Sequence, residues 1–281
     1  MPTCITEGFT QYYELLGDPA APPVLLISGL GGVGASWGSQ IERFAKDHFV
    51  ILPDQRGTGR TTHAADGYST QQLALDMLAL VDHVGLPSVH VVGASTGGAI
   101  AQHMALERPE VVRSLTLSSS FARFDSFMHR EFEVRRKMAV EWERFELLSA
   151  YSLFLFSPRF ANEHPERVSQ WIEAASRVRD DEAASRKIDL QRIDMIAAHD
   201  VAARLGEIAQ PTLVLCGDNN HCTPMPVSEE LARGIQSAEL VVFEDAGELI
   251  EIERAERYFD VVSSFIREPG VRAPRRSDTG F

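Results

Sequence analysis

The sequence has little of what marks secreted, metal-binding or membrane-spanning proteins. It contains only three cysteines among 281 residues, Cys4, Cys216 and Cys222. An odd number at wide spacing forms neither a disulfide framework nor a metal-binding motif, and three reduced thiols are typical of a cytosolic protein. No apolar run reaches the roughly 18 residues of a membrane span, and no signal peptide is visible at the N-terminus. We therefore expect a cytoplasmic protein.

Basic charge is also scarce. Lys and Arg number 27 against 40 Asp and Glu, a formal net charge of −13. Nucleic acids and anionic membranes favour a basic face, so neither is an expected partner. The sequence has no dinucleotide fingerprint, P-loop or metal-ligand spacing, so we predict no cofactor and no metal. A small-molecule substrate is the expected partner.

The pattern of apolar residues predicts an α/β fold. Short apolar runs alternate with longer helical patterns, which indicates a mostly parallel sheet flanked by helices. Helices are predicted over 70–84, 98–107 and 253–266, the first with Ser69 or Thr70 as N-cap. The predicted strands are Val24–Ser28, Phe49–Leu52, Val89–Val92, Ser114–Leu117, Thr212–Cys216 and Leu240–Phe243.

Residues 121–206 interrupt this alternation, because they are charged and aromatic, with helical patterns and no convincing strand. We interpret them as a helical cap inserted into a core made of 1–120 and 207–268. Residues 269–281 lack periodicity and are predicted to be a disordered tail. The aromatic residues of the cap either line a pocket or, for most of them, form the core of the cap: Phe121, Phe124, Phe127, Trp142, Phe145, Tyr151, Phe154 and Phe156.

The most specific motif surrounds Ser95. The run Gly93-Ala94-Ser95-Thr96-Gly97-Gly98 follows the strand VHVV and opens a helix. This is G-x-S-x-G in the strand–turn–helix context of a nucleophile elbow, in which a sharp turn pushes the serine hydroxyl outward. Ser95 is therefore the candidate nucleophile.

A second glycine-rich loop, Ser28-Gly29-Leu30-Gly31-Gly32, follows the strand VLLIS. Such a loop can aim a backbone N–H at a developing oxyanion, together with the N–H that follows the nucleophile. We assign an oxyanion hole to the amides of Leu30 and Thr96, with Gly29 and Trp37 as possible substrate contacts. A third motif, DQRGTGR from Asp54, is interpreted as a structural brace.

These three motifs, in this order and with the helical insertion, resemble the α/β-hydrolase superfamily over nearly the whole chain. Within this superfamily, the motif sequences are most similar to those of the aminoacrylate-hydrolase and enol-lactonase-like branch. The resemblance implies an eight-stranded, mostly parallel sheet and a Ser–acid–His triad at the strand ends.

Two triad positions depart from the family. The position of the family's acid, after the strand TLVLC, holds Asn220, and the position of its histidine, after Gly247, holds Glu248. No histidine follows His221, so no shift of alignment restores the usual triad. A carboxylate is a poor base unless burial raises its pKa, and an amide can hold such a carboxylate where Asp would repel it. Asn220 and Glu248 are therefore interpreted as a matched pair around Ser95.

Other sources of a base stay open. His221 adjoins Asn220 and could contact substrate, Asp218 is close in sequence, and Asp125 follows the strand before the cap. Five further histidines could approach a pocket on the cap side: His63, His103, His129, His164 and His199.

Three functions follow from this site. The preferred expectation is proton-transfer chemistry without an acyl-enzyme, such as elimination or cyclisation in a natural-product pathway, with Glu248 as the base. The alternative is an ester, lactone or amide hydrolase using a Ser95–Glu248 dyad. The third is a catalytically inactive ligand-binding homologue.

Overall fold

A computed structural model of the chain describes residues 3–6, 8–62, 66–177 and 182–269, with only the backbone described at 6 and 182–185. An eight-stranded sheet runs in the order β1-β2-β4-β3-β5-β6-β7-β8. The strands are β1 Thr3–Thr6, β2 Phe9–Leu16, β3 Pro23–Ile27, β4 Phe49–Pro53, β5 Val89–Ala94, β6 Val112–Ser118, β7 Thr212–Gly217 and β8 Ala238–Phe243.

The predicted α/β-hydrolase sheet is confirmed. Strands β3 to β8 pair in parallel, while β1 and β2 are antiparallel to their neighbours at one edge. All six predicted strands are present within two residues of their predicted ends. The first two strands were not identified individually, because their mixed polar sequence suits an antiparallel edge better than a strand covered on both faces.

Eleven α-helices occur in the described residues: α1 Ser39–Ala45, α2 Thr70–Val84, α3 Thr96–Glu107, α4 Ser126–Glu141, α5 Arg144–Leu155, α6 Pro158–Glu163, α7 Pro165–Ser176, α8 Glu182–Ala197, α9 Met225–Gly234, α10 Ile250–Glu253 and α11 Ala255–Arg267. Helix α2 has its predicted bounds. The side chain of Ser69 accepts a hydrogen bond from the Gln72 backbone N–H, and Gly85 ends the helix at a φ of 81°. Both ends therefore follow the usual capping chemistry.

Five of these helices, α4 to α8, lie between β6 and β7. They correspond to the stretch predicted as a cap, although the bounds of that cap, 121–206, stay a prediction. The predicted tail falls almost entirely on residues 270–281, outside the described residues. Among the described helices, none combines the length and the apolar character needed to cross a membrane.

Apolar residues cover both faces of the sheet. One buried cluster packs α2 and α3 against one face, and a second packs α1 and α11 against the other. The DQRGTGR loop is tied to this core, since Asp54 accepts backbone N–H bonds of 2.9 Å from both Gly34 and Arg60. Arg56 pairs with Asp76 at 2.7 Å. The bracing predicted for this loop is thus what these contacts provide.

Candidate active site

Ser95 stands at a sharp turn between β5 and α3. Its φ of 51° lies in the left-handed region, which a non-glycine residue adopts only when its surroundings enforce it. The neighbouring chain leaves no space for side chains: a Cβ on Gly97 would lie 2.1 Å from the Ile27 carbonyl oxygen, and one on Gly93 would lie 2.4 Å from Gly97. The glycines therefore allow the strand and helix to approach closely enough to present the serine.

A cavity of about 250 Å³ opens over Ser95. The strand-end loops form its floor, and α4, α5, α7 and α8 contribute its apolar walls. The lining residues include the predicted Gly29, Leu30, Trp37, Ser95, Thr96 and Glu248, and also Phe132, Arg135, Leu147, Leu148, Tyr151, Trp171, Ile193, Cys222 and Glu251. The structure therefore brings most of the predicted site residues to one small cavity.

Glu248 and Asn220 are direct partners. The Asn220 side-chain amide donates to Glu248 Oε2 at 2.8 Å, and the Thr223 hydroxyl donates to the same oxygen at 2.6 Å. Asn220 is oriented in turn, because its Oδ1 accepts the backbone N–H groups of Cys222 and Thr223 at 3.0 and 2.9 Å. With the oxygen committed to its own loop, the Asn220 amide must face Glu248 with its donor.

The environment raises the pKa of Glu248 above its ordinary value. Burial is the main cause, because it disfavours the charged form. Hydrogen bonds from Thr223, Ser95 and Asn220 act in the opposite direction and lower the pKa, as does the charge of Arg135. The contact with the Ser95 hydroxyl places the carboxyl beside the candidate nucleophile. A carboxyl with a raised pKa is the kind of group that can accept a proton in catalysis.

The glycine-rich loop lies against the nucleophile. A Cβ on Gly29 would be 3.5 Å from the Ser95 Cβ, so the loop and the elbow are in close approach. Arg192 of α8 donates from Nε to the Leu30 carbonyl oxygen at 2.7 Å, which fixes one orientation of this peptide segment. Leu30 and Thr96 both line the cavity beside Ser95, as an oxyanion hole requires.

Residues at the end of β6 connect the two halves of the site. Ser119 has a φ of 48°, and its hydroxyl donates to the Glu248 carbonyl oxygen at 2.7 Å. The Ser120 hydroxyl donates to the Ser95 carbonyl oxygen at 2.9 Å. Ser119 and Ser120 therefore fix the backbone on both sides of the site.

The segment between α5 and α6 holds the loop that carries Glu248. The Leu155 carbonyl oxygen accepts the backbone N–H groups of Glu248 and Leu249 at 2.9 and 3.3 Å. The Glu253 carboxylate bridges the same two segments, accepting from the Ser157 N–H at 2.9 Å, the Ser157 hydroxyl at 2.6 Å and the Gly247 N–H at 3.2 Å. We call these contacts the Glu253 clamp.

The structure does not place His221 at the cavity. Its side chain is exposed, and the cavity is lined instead by the next residue, Cys222. The reason is local: Asn220 and Cys222 turn inward in this tight loop, so the residue between them turns outward. Asp218 is exposed as well, and Asp125 is occupied as the N-cap of α4.

No histidine in the described part of the chain lines the cavity. His103 and His199 are partners of each other on the side of α3, with ring centroids 5.3 Å apart, and His129 is exposed. His164 is half-buried between α6 and α7, and His63 lies outside the described residues. Of the carboxyl groups that line the cavity, Glu248 is the one with a hydrogen bond to the Ser95 hydroxyl among the described residues.

Several residues at the site were missed by reasoning from the sequence. Thr223 shares Asn220's role toward Glu248, and Glu253 holds the loop. Glu251 lines the cavity, where burial raises its pKa to about 8. Arg135 was also missed, although a charged residue on the buried face of the α4 pattern is a usable signal. Of the aromatic cap residues named above, only Tyr151 lines the cavity.

Comparisons with known proteins agree with this architecture. Residues 22–255 match the alpha/beta hydrolase fold family. A protein of Azorhizobium caulinodans named "Putative carbamate hydrolase RutD" is 36% identical over 236 residues, covering 82% of this chain and 84% of its own length. One of the same name from Variovorax paradoxus is 32% identical and covers 93% and 99%.

Solved structures show the same fold. The enol-lactonase from Burkholderia xenovorans LB400 superposes with a TM-score of 0.86 at 23% identity, covering 95% of this chain and 100% of its own. A thermophilic esterase from Thermogutta terrifontis gives a TM-score of 0.81 at 25% identity, covering 96% and 97%. The nucleophile elbow, the sheet and the match over residues 22–255 lead to one conclusion: this chain belongs to the alpha/beta hydrolase fold family.

Proposed function

We propose that the protein is a hydrolase of a small ester, lactone or carbamate, with Ser95 as the nucleophile and Glu248 as its general base. The observation that carries the proposal is the position of the Glu248 carboxyl beside the Ser95 hydroxyl, with Asn220 and Thr223 donating hydrogen bonds to its Oε2. The hydrolase names of the relatives support it as well. Hydrolysis, the alternative in the sequence analysis, therefore replaces proton-transfer chemistry as the preferred function.

In this mechanism Glu248 accepts the Ser95 hydroxyl proton as the serine oxygen attacks the substrate carbonyl carbon. The tetrahedral oxyanion is stabilised by the backbone N–H groups of Leu30 and Thr96. Glu248 then gives its proton to the leaving oxygen or nitrogen, and the carbon–leaving-group bond breaks to form an acyl-enzyme. Water then attacks the acyl carbon while Glu248 accepts one of its protons. The bond between that carbon and the Ser95 oxygen breaks, Glu248 returns the proton to Ser95, and the acid product is released.

The raised pKa of Glu248 supports the base role. A carboxylate with an ordinary pKa binds a proton too weakly to compete for that of a serine, whereas burial makes the carboxylate more basic. The hydrogen bonds from Asn220 and Thr223 fix one oxygen while leaving Glu248 on the cavity wall. Asn220 thus acts as the positioning group that the family's acid provides for its histidine.

The size and lining of the cavity support a small substrate. Its volume of about 250 Å³ and its aliphatic and aromatic walls suit a short acyl group or a small lactone ring. The RutD relatives, by their name, favour a carbamate among the possible acyl compounds.

Kinetics of three variants test the proposal with p-nitrophenyl acetate as a general small ester. We expect Ser95→Ala and Glu248→Gln each to lower kcat/KM by roughly 100-fold or more, since both halves of the proton transfer are needed. Asp218→Asn, an exposed acid on the loop of Asn220, serves as the matched control and should stay near the wild-type value. Full activity in Ser95→Ala would contradict the proposal, and an absence of turnover in the wild type would favour an inactive homologue.

A second candidate is proton abstraction from the substrate itself, as in an elimination. It is favoured by the fact that Glu248 lines the cavity directly and so can meet a substrate C–H as well as Ser95. The same variants distinguish the two: elimination requires Glu248 and only a hydrogen bond from Ser95. Ser95→Ala would then slow the reaction mildly while Glu248→Gln abolished it.

A further inference from the structure

Arg135 is a buried cation in the wall of the cavity. It lies on α4, its side chain is only 5% exposed, and it lines the same cavity as Ser95 and Glu248. Its guanidinium carbon is 4.4 Å from the Phe132 ring centroid and 4.2 Å from that of Tyr151. These aromatic contacts fix the plane of the guanidinium, so its donors point in defined directions.

The hydrogen bonds of this guanidinium are few. Within the described residues, the bonds it donates come from Nη1, at 3.1 Å to the Cys222 Sγ and 3.4 Å to Glu131 Oε1. Among the described residues its Nε is buried without a hydrogen-bond partner, while the Tyr151 hydroxyl donates to the Arg135 backbone carbonyl oxygen and also interacts with the guanidinium. A buried guanidinium with five N–H donors is costly unless acceptors meet them.

The unused edge, formed by Nε and Nη2, is the one that other arginines of this molecule offer to carboxylates. Arg56 binds Asp76 through Nε and Nη2 at 2.9 and 2.7 Å. Arg136 binds Asp194 through the same two atoms at 3.1 and 3.4 Å. This two-pronged geometry matches the two oxygens of a carboxylate. In Arg135 no carboxylate of the described residues binds the corresponding edge.

The neighbouring acids do not fully balance the charge of Arg135. Burial raises the pKa of Glu131 to about 7 even with Arg135 beside it, so near neutral pH this partner is only partly ionised. Its second oxygen, Oε2, also has no hydrogen-bond partner among the described residues. Glu248 is held by Asn220 and Thr223 rather than by Arg135.

We infer that Arg135 is a specificity-determining residue whose guanidinium, in the cavity wall, binds a carboxylate on the substrate. This rests on the proposed function, because it names the substrate class of that site: a small acyl compound carrying a free carboxylate away from the reacting carbonyl. The carboxylate balances the buried charge of the guanidinium, whose plane is fixed by the Phe132 and Tyr151 rings.

Binding measured without turnover tests this inference separately from the hydrolase proposal. In the Ser95→Ala background, calorimetry compares monoethyl glutarate with ethyl hexanoate, a similar ester in which an alkyl end replaces the carboxylate. We expect the carboxylate ester to bind at least roughly tenfold more tightly. Arg135→Gln should remove this preference by weakening the glutarate ester alone, and Arg135→Lys should retain only part of it, since the charge stays but the two-pronged geometry is lost.

Arg136→Gln is the matched control. It removes an arginine from the next position of the same helix, but Arg136 is half-exposed and its Nε–Nη2 edge is filled by Asp194. The preference should persist in this variant. The inference is overturned if the Ser95→Ala protein shows no preference, if Arg135→Gln keeps it, or if both esters weaken equally. Should Arg135→Gln fail to fold, a full preference in folded Arg135→Lys would overturn it as well.

Discussion

The Asn220 side chain has four hydrogen bonds that together allow one orientation. Its oxygen accepts two backbone N–H groups of its own loop, so its NH2 group is directed at Glu248 and Thr223. An Asp at this position could accept the same two backbone bonds but would present a second anion to Glu248. The residue at 220 therefore controls how readily Glu248 loses its proton.

We predict that Asn220→Asp moves the acid side of the pH profile of kcat/KM upward by about one pH unit or more. The added negative charge raises the pKa of Glu248 further, and Glu248 acts as a base only when deprotonated, so activity is lost at a higher pH as pH falls. Asn219→Asp, which adds the same charge one residue away, should shift the profile less. An unshifted pH profile in Asn220→Asp would show that residue 220 does not influence the pKa of the catalytic base.

The pairing of Asn220 with Glu248 could be predicted because both residues follow clear apolar strands, at the positions where the resemblance to the α/β-hydrolase superfamily implies the acid and the histidine. Their partners could not. Thr223 reaches Glu248 through a tight turn whose conformation depends on Asn220, and Arg135 reaches the cavity only because α4 packs over the strand ends. Neither position carries a local signal of its distance from Ser95.

At the scale of elements, the Glu248 loop is attached to the chain between α5 and α6. The Glu253 clamp and the Leu155 carbonyl link that segment to Gly247, Glu248 and Leu249 through short hydrogen bonds. The position of the base is therefore coupled to the helices that cover the cavity. We propose that this coupling keeps Glu248 on Ser95 when substrate is enclosed.

Glu253→Gln should lower both kcat and stability. An amide has one acceptor oxygen in place of two, so at least one of the three bonds to Ser157 and Gly247 is lost in a buried setting, at a cost of about 1–3 kcal/mol. The expected result is a lower kcat with a smaller change in KM, together with a lower midpoint of urea unfolding. Glu244→Gln, an exposed acid beside the same loop, is the control and should match the wild type in both measurements. Normal kcat in a destabilised Glu253→Gln protein would limit Glu253 to a structural role.

The elements themselves were largely predictable. Strands β3 to β8 carry nearly continuous apolar runs, and α2 carries both a capping serine and a terminating glycine. Helix α11 begins and ends within two residues of the predicted helix 253–266, whereas the short helix α10 before it was not predicted. Glu253, at the end of α10, accepts hydrogen bonds from the distant Ser157, a contact that no helical periodicity records.

At the scale of the whole molecule, the cavity concentrates carboxyl groups in an apolar interior. Burial raises the pKa of Glu251 to about 8, with the charges of Glu248 and Glu253 adding to the effect. Because the folded protein favours the neutral acid, Glu251 contributes its full stability below about pH 4.5, and this contribution is lost as pH rises toward 8. The folded state therefore becomes less stable on the alkaline side.

Glu251→Gln should remove this dependence. The amide stays neutral, so the variant should be more stable than the wild type by roughly 1 kcal/mol or more at pH 9 and nearly equal at pH 5. Thermal or urea unfolding at both pH values measures the difference. Glu256→Gln, whose side chain is 86% exposed, is the matched control and should show no such dependence. A stability gap that is the same at both pH values would contradict the buried, neutral state of Glu251.

The most direct test of Glu248 as the base of Ser95 is the rate of covalent labelling by a fluorophosphonate, followed by intact-protein mass at a series of pH values. We predict that Ser95→Ala abolishes labelling, since the hydroxyl is the site of attack. In the wild type the rate should fall as pH drops through a pKa above that of an ordinary glutamate. Glu248→Gln should slow labelling by roughly 100-fold or more and remove that pH dependence. Labelling of Ser95 at an undiminished rate in Glu248→Gln would contradict the account.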